Sequence, residues 1–325
     1  MTILVTGVAG FIGAQVAEAL LARGEQVTGV DNLNAYYSPA LKAARLSRLE
    51  NHSGFSFRKL DLASPGALDD IADPADITHI LHFAAQAGVR FSMDAPRAFI
   101  QSNLTGHLEV LEYARRLPAL KHLVYASSSS VYGRNTDMPF RETDRTDLPG
   151  SFYAVTKRSA ELMSESHAHL YGLPQTGLRF FTVYGPWGRP DMACFRFAEA
   201  IADRRPVPLY SGEGLQRDFT YIADVVQAVL GVMDQIPAVH QARVLNVGYG
   251  KPALVSRFLE LLGQELGEEP LVELRERPAA DVIATWASTE ALRTLTGWTP
   301  ETGPEAGIAQ FVKWFRQWRT DHPPE

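Results

Sequence analysis

The sequence predicts an α/β protein: a doubly wound parallel sheet with a smaller α/β substrate-binding lobe beside it. Three observations carry this. Short β-branched runs alternate with helical stretches through the first half of the chain. A glycine triplet stands between the first run and the first helix. Beyond residue 181 the segments shorten, and Pro and Gly become frequent from Gly185 to Gly214.

Taken in order, Ile3-Leu4-Val5-Thr6 reads as a buried strand, Ala14 to Leu21 as the helix after it, and Gln26 to Val30 as a second strand. Further strands are expected at Phe55–Arg58, Thr78–His82, His122–Tyr125 and Thr176–Phe180. Helical patterns at Pro96–Arg116 and Ser151–Tyr171 separate the later ones. The expected division places residues 1–181 in the sheet domain, with about 215–250 returning to it, and 182–325 mainly in the discontinuous lobe. The chain closes with an amphipathic helix, Pro304 to Trp318, whose Phe311, Trp314, Phe315 and Trp318 recur at helical spacing and read as core packing.

Composition bounds the function. With 325 residues, 46% hydrophobic and 21% charged, the chain is of ordinary globular type. A net charge of −6 without a basic block argues against nucleic acid as a partner. No apolar run approaches the ~20 residues needed to span a bilayer, so no membrane is expected, and the N-terminus has no signal-peptide pattern. Cys194 is the one cysteine, which excludes an intramolecular disulfide and suits a cytoplasmic protein.

Gly7, Gly10 and Gly13 form G-x-x-G-x-x-G directly between strand and helix. Glycine there lets the backbone turn tightly against a pyrophosphate, and the helix N-terminus supplies free N–H groups and a positive dipole end. Asp31 ends the second strand, where a carboxylate can accept hydrogen bonds from the adenosine ribose and would repel a 2′-phosphate. The expected cofactor is therefore NAD rather than NADP, in a Rossmann domain. Asp61 and Leu62, after the third strand, would flank the adenine.

Tyr153 and Lys157 are four residues apart in a helix that Ser151 would cap. A phenol is a poor base near neutral pH, and a neighbouring ammonium favours the phenolate. The run Ser127-Ser128-Ser129-Ser130 follows a buried strand, and strand carboxyl ends are where doubly wound sheets bind ligands.

Together these features resemble the extended short-chain dehydrogenase/reductase superfamily. Longer stretches resemble the UDP-glucuronate 4-epimerases: Asp31 to Tyr37, Ala84-Ala85-Gln86-Ala87-Gly88-Val89-Arg90, Thr182 to Met192, and Arg217-Asp218-Phe219-Thr220-Tyr221-Ile222. The resemblance covers nearly the whole chain. It implies Tyr153 as catalytic base and acid, Lys157 tuning it, and Ser128 bonding the reacting hydroxyl. It implies that Phe11, Ile12, Asp31, Asn32, Asp61, Leu62, Phe83 and Asn103 line NAD, that Arg217 contacts UDP, and that Arg90 and Arg189 belong to the substrate site. The chain departs from the family at Pro278-Ala279-Ala280-Asp281, with Arg277 one place earlier, and at Ala223 and Ser288.

The implied reaction is C4 epimerisation of a UDP-sugar through a 4-keto intermediate. For glucuronate that intermediate is a β-keto acid, which loses CO2 when its carboxylate bond aligns with the ketone. Ser129, Ser130 and Thr182 are the natural neutral donors to hold the carboxylate away. Related dehydratases and decarboxylases place carboxylates at the serine positions. UDP-galactose or UDP-N-acetylglucosamine 4-epimerase is the alternative; UDP-glucuronate decarboxylase and a non-catalytic NAD(H) sensor are less favoured. Nothing in the mechanism calls for a metal. A homodimer is expected, formed by Pro96–Arg116 and Ser151–Tyr171. The apolar faces invoked are Phe99, Ile100, Leu104, Leu108 and Leu111 on the first helix, and Ala160, Leu162, Met163 and Leu170 on the second.

Overall fold

A computed structural model describes residues 2–69, 71, 75–210, 214–276 and 283–323. The chain begins β1 (Thr2–Thr6), α1 (Phe11–Ala22), β2 (Gln26–Asp31), α2 (Pro39–Glu50), β3 (Phe55–Lys59) and β4 (Ile77–His82). Next come α3 (Phe91–Asp94), α4 (Pro96–Phe99), a π-helical stretch at Ile100–Thr105, α5 (Gly106–Ala114), β5 (His122–Ser128), a 3-10 turn at Ser129–Tyr132, α6 (Phe152–Tyr171) and β6 (Gln175–Phe180). The second half holds β7 (Thr182–Tyr184), α7 (Ala193–Ala202), β8 (Val207–Tyr210), β9 (Gln216–Arg217), β10 (Phe219–Tyr221), α8 (Ile222–Met233) and β11 (Ala242–Val247). It closes with β12 (Ala253–Leu254), α9 (Val255–Leu266), β13 (Val272–Arg275), β14 (Ala284–Thr285), α10 (Glu290–Thr296) and α11 (Pro304–Asp321).

Seven parallel strands form the main sheet in the order β11-β6-β5-β4-β1-β2-β3. The order reverses beside β1, with β2 and β3 wound to one side and the later strands to the other. Ligands bind such sheets at the carboxyl edge of that reversal, because the two following loops diverge there and leave a crevice. The central strands are covered on both faces by helices, so β1 and β4 are buried nearly throughout, with Ile3, Leu4, Ile80 and Leu81 inaccessible.

The helix limits follow local chemistry. Ser151 caps α6, its hydroxyl accepting from the Ala154 N–H at 3.1 Å, and Gly172 ends it with φ 71°. The helix expected over Pro96–Arg116 is instead α4, a widened turn and α5. The widened turn coincides with Asn103, whose side chain is drawn into bonds outside the helix.

The second half is less fragmented than the sequence pattern predicts: α8, α9 and α11 are regular helices of 12, 12 and 18 residues. The strand β11 completes the main sheet from within the 215–250 stretch expected to return to it, although it is not among the expected strands, because Arg243 and Asn246 interrupt its apolar run; Asn246 is nevertheless inaccessible. Among the described residues, two-stranded pairs β10-β7 and β13-β8 and a three-stranded β12-β9-β14 lie outside the main sheet, with an isolated parallel bridge between Phe140 and Ala287. One continuous core joins the halves: Ile3 and Val5 belong to the same cluster as Phe258 and Phe311. Within the terminal stripe Phe311 and Phe315 are buried, while Trp314 and Trp318 pack at its margin on Trp187. Among the described residues no helix is long and apolar enough to cross a membrane.

Candidate active site

A cleft of about 930 Å³ opens at the carboxyl edge of the sheet. At one end lies the glycine turn. Gly7 has φ 69°, and a Cβ there would stand 2.6 Å from the Ala84 nitrogen; a Cβ on Gly13 would stand 2.2 Å from the Gly7 carbonyl oxygen. The chain can pass so close to β4 and start α1 so abruptly only with glycine, which leaves the helix N-terminus facing the cleft. Phe11 and Ile12 line it there.

Asp31 sits beside this turn with its carboxylate held by backbone: Oδ2 accepts from the Ala9 N–H at 3.1 Å and Oδ1 from the Leu33 N–H at 2.8 Å. Asn32, Asp61, Leu62 and Phe83 continue the lining. Asp61 is oriented by the Ala63 N–H, and Asn32 Nδ2 reaches it at 3.5 Å. Asn103 departs from its expected place. It is 3% exposed and does not line the cleft; its Oδ1 accepts from the Gln86 N–H, and its Nδ2 donates to the Gln86 carbonyl and to Thr156 Oγ1. It ties the loop after β4 to α6.

At the other end α6 carries Tyr153 and Lys157, one turn apart. The Lys157 ammonium donates to the Ala126 carbonyl at 2.9 Å and lies 6.0 Å from the centre of the Tyr153 ring. Burial pulls Lys157 down to about 8, opposed by the Glu161 carboxylate. From the sequence, the ammonium is expected to lower the phenol. In the protein alone burial wins and raises Tyr153, against the lowering effects of the Ser128 hydrogen bond and the Arg189 charge. The physical reason is distance and desolvation: the ammonium is spent on a carbonyl, while the half-buried phenol loses part of its water.

Ser128, Ser129 and Ser130 leave β5 through the 3-10 turn and line the cleft, as does Thr182 at the start of β7. Ser128 Oγ accepts from the Ser130 N–H at 3.2 Å. Ser127 also borders the cleft, but its hydroxyl turns inward and donates to Glu161 at 2.6 Å. Arg189 also borders the cleft. Its Nε bonds Asp191 at 3.0 Å; burial would lower the guanidinium, but Asp191 prevails and holds it protonated. Arg90 and Arg217 stand toward the far end, Arg90 4.8 Å over the Tyr210 ring and Arg217 donating to the Gln216 and Ile283 carbonyls. Arg277 and Pro278–Asp281 lie outside the described residues. Ser288 is held through its backbone, its N–H donating to the Phe140 carbonyl and its own carbonyl accepting from Asn246 Nδ2.

Several residues of this architecture escaped the sequence reading. Glu161 is one helical turn beyond Lys157, so the periodicity that paired Tyr153 with Lys157 extends to it. Arg179, from β6, meets Glu161 through two bonds of 2.8 and 2.9 Å, and no local pattern announces that contact. Tyr36, whose hydroxyl donates to Asp191 at 3.2 Å, and the buried Arg45 depend likewise on long-range packing.

A switch-point cleft with a glycine turn at one end and a Tyr-Lys pair at the other, the lysine buried and the tyrosine half-buried, defines a dinucleotide-dependent enzyme of Rossmann type. The chain belongs to the NAD dependent epimerase/dehydratase family, whose profile matches residues 3–248. It is 41% identical to the probable UDP-glucuronate 4-epimerase of Rhizobium meliloti (strain 1021), over 98% of this chain and 97% of that protein. UDP-glucuronate 4-epimerase 1 of Arabidopsis thaliana is 40% identical over 97% of this chain and 76% of its own length. Among solved structures, the Bacillus cereus UDP-glucuronic acid 4-epimerase in complex with UDP-glucuronic acid and NAD is similar at a TM-score of 0.90. It is 28% identical, with 98% of this chain and 100% of that one covered.

Proposed function

We propose that this chain epimerises C4 of UDP-glucuronate to give UDP-galacturonate, with NAD as resident cofactor. The carrying observation is that Tyr153, Ser128 and three neutral hydroxyls, on Ser129, Ser130 and Thr182, line one cleft with the glycine turn and Asp31. The turn fits a dinucleotide by its shape: backbone close to the helix N-terminus, no side chain in the way, and a carboxylate fixed at the end of β2 to receive ribose hydroxyls.

Bound NAD+ supplies a hydride acceptor that becomes the donor once reduced. The protein does the rest. Tyr153 takes the C4 hydroxyl proton as the C4 hydrogen leaves as hydride, and Ser128 holds the same oxygen. The Ser128 hydrogen bond and the Arg189 charge favour the phenolate against the burial that raises it. Once the 4-keto sugar has turned its other face, Tyr153 returns the proton. Ser129, Ser130 and Thr182 hold the C5 carboxylate out of line with the ketone, so CO2 is retained. A neutral site suits this task, because a carboxylate there would repel the substrate's own. Arg189, already balanced by Asp191, gives the uronate end a cation without leaving an unpaired charge.

The two-helix face supports a homodimer. Phe99 and Leu111 turn inward and are inaccessible, whereas Ile100, Leu108, Leu162 and Leu170 are 44%, 39%, 55% and 62% exposed on adjoining helices. Light scattering at micromolar concentration is expected to give twice the 35.8 kDa chain mass; a monomer mass refutes the dimer. The reaction belongs in the cytoplasm, in keeping with the buried thiol of Cys194. The test of function is incubation with UDP-glucuronate, UDP-galactose and UDP-N-acetylglucosamine in separate tubes, with products identified by NMR. UDP-galacturonate from the first alone is expected; epimerisation of a neutral sugar and none of UDP-glucuronate overturns the reading.

A further inference from the structure

The loop that follows β7 is held by the opposite half of the molecule. Gly185 at φ 137° and Trp187 at φ 65° bend it, the second a conformation that side chains rarely adopt unless their surroundings impose it. Three successive carbonyls thereby face donors from α1 and α2. Gln15 Nε2 donates to the Pro186 carbonyl at 3.3 Å. Arg45 donates through Nε and Nη2 to the Trp187 carbonyl at 3.1 and 2.6 Å, and through Nη2 to that of Gly188 at 3.0 Å. Its Nη1 donates to the Ala9 carbonyl at 3.0 Å and to the Tyr37 hydroxyl at 2.7 Å.

Arg45 is 0% exposed, and among the described residues no carboxylate pairs with it. A buried cation is ordinarily kept by a carboxylate; here it is kept by main chain. Ala9 lies inside the Gly7–Gly10 turn, and its own N–H is taken by Asp31. Arg45 thus bonds the dinucleotide turn with one nitrogen and, with the others, the two residues preceding Arg189. The Trp187 ring is clamped as well, by the Arg48 guanidinium at 4.7 Å and by Trp314 and Trp318. A planar fork can serve four acceptors in fixed directions, which a lysine ammonium cannot.

We propose that Arg45, assisted by Gln15, is a positioning residue that sets Arg189 in register with the dinucleotide turn, so that the grip on cofactor and the grip on the sugar acid are coupled. This rests on the proposed function of the cleft. Neither residue touches the reacting atoms; both act through backbone.

Arg45→Lys and Gln15→Ala test it in the full-length enzyme, by KM and kcat for UDP-glucuronate, by fluorescence titration of NAD, and by combination with Arg189→Ala. Arg45→Lys is expected to raise KM and the NAD dissociation constant together by about tenfold, within the range of ordinary intersite coupling, while kcat stays within about threefold of wild type. Gln15→Ala, at a partly exposed position, is expected to move KM the same way by about threefold to fivefold, as for one neutral hydrogen bond. In the Arg45→Lys background, Arg189→Ala is expected to raise KM far less than it does in wild type. A merely structural role would lower the melting temperature and the active fraction and leave KM where it was. Unmoved KM in the variants, or full additivity with Arg189→Ala, overturns the inference. Should Arg45→Lys fail to fold, an unmoved KM in Gln15→Ala overturns it alone. Wild-type protein inactive on UDP-glucuronate would instead overturn the proposed function.

Discussion

Replacing Arg179 by Met isolates the buried pair beneath the serine turn. The side chains of Arg179 and Glu161 are 2% and 1% exposed. Arg179 also donates to the Tyr132 hydroxyl at 3.1 Å and to the Glu142 carbonyl at 3.2 Å. Removing one partner of a buried pair costs about 3–5 kcal/mol, chiefly because the other charge is left behind. Glu161 would keep Ser127 and Arg158, at 2.6 and 2.9 Å, so the lower end of about 3 kcal/mol is expected. With unfolding entropy near 2.1 cal/mol/K per residue, a chain of this size has roughly 0.7 kcal/mol/K, so the melting temperature falls by about 4–5 °C.

The pH dependence has a definite sign. In the wild type, burial alone would raise Glu161, but Arg179 and the other donors hold it below the ordinary carboxylate range. That contribution is present above the unfolded carboxylate pKa and is lost as pH falls through the lowered folded one. In the variant, burial meets less opposition, Glu161 titrates higher, and it neutralises itself as pH falls. The gap between variant and wild-type melting temperatures is therefore expected to be widest near pH 8 and to narrow toward pH 5. Calorimetry at four pH values reads it. A gap below about 1 °C, or one of equal size at every pH, refutes the reasoning.

Three further outcomes are expected. Tyr153→Phe should bind NAD as the wild type does and turn over about 10²–10⁴-fold more slowly; near-normal turnover in a stopped assay removes Tyr153 from the base role. NAD should bind far more tightly than NADP, since a carboxylate at the end of β2 would repel a ribose 2′-phosphate; equal affinities by titration would contradict this. Ser130→Ala combined with Thr182→Ala should release labelled CO2 from C6-labelled UDP-glucuronate and strand the enzyme as NADH, each lost bond to a charged group being worth about 1.5–3 kcal/mol. A double variant that still oxidises the sugar but releases no more CO2 than wild type would return these hydroxyls to simple pocket lining.

What the sequence determined by itself is local in origin. A glycine triplet between strand and helix, a carboxylate at the end of the second strand, and a phenol and an amine one helical turn apart each require only neighbours in the chain. Backbone sterics and helix periodicity decide them before any packing exists. The strands β1, β2, β4, β5 and β6 are legible for the same reason, as largely buried runs, and the edge strand β3 by its Phe55–Phe57 alternation. Only the tertiary structure decided which residues outside those motifs support the site. β11 joins the sheet despite Arg243 and Asn246, because its neighbour β6 supplies the ladder bonds, the Tyr132 hydroxyl donates to Asn246 Oδ1, Nδ2 donates to the Phe140 and Ser288 carbonyls, and Glu142 accepts the Asn246 N–H. Asn103 turns from the cleft because the loop after β4 offers its amide better partners. The ammonium of Lys157 serves a carbonyl rather than the phenol, and desolvation, which no sequence pattern records, sets the direction in which Tyr153 is moved. Arg45 and Arg189 are 144 positions apart in the chain, and only folding brings the first against the two carbonyls that precede the second. Contacts of that kind depend on where whole elements come to rest, and that is decided by the shared core rather than by any one segment.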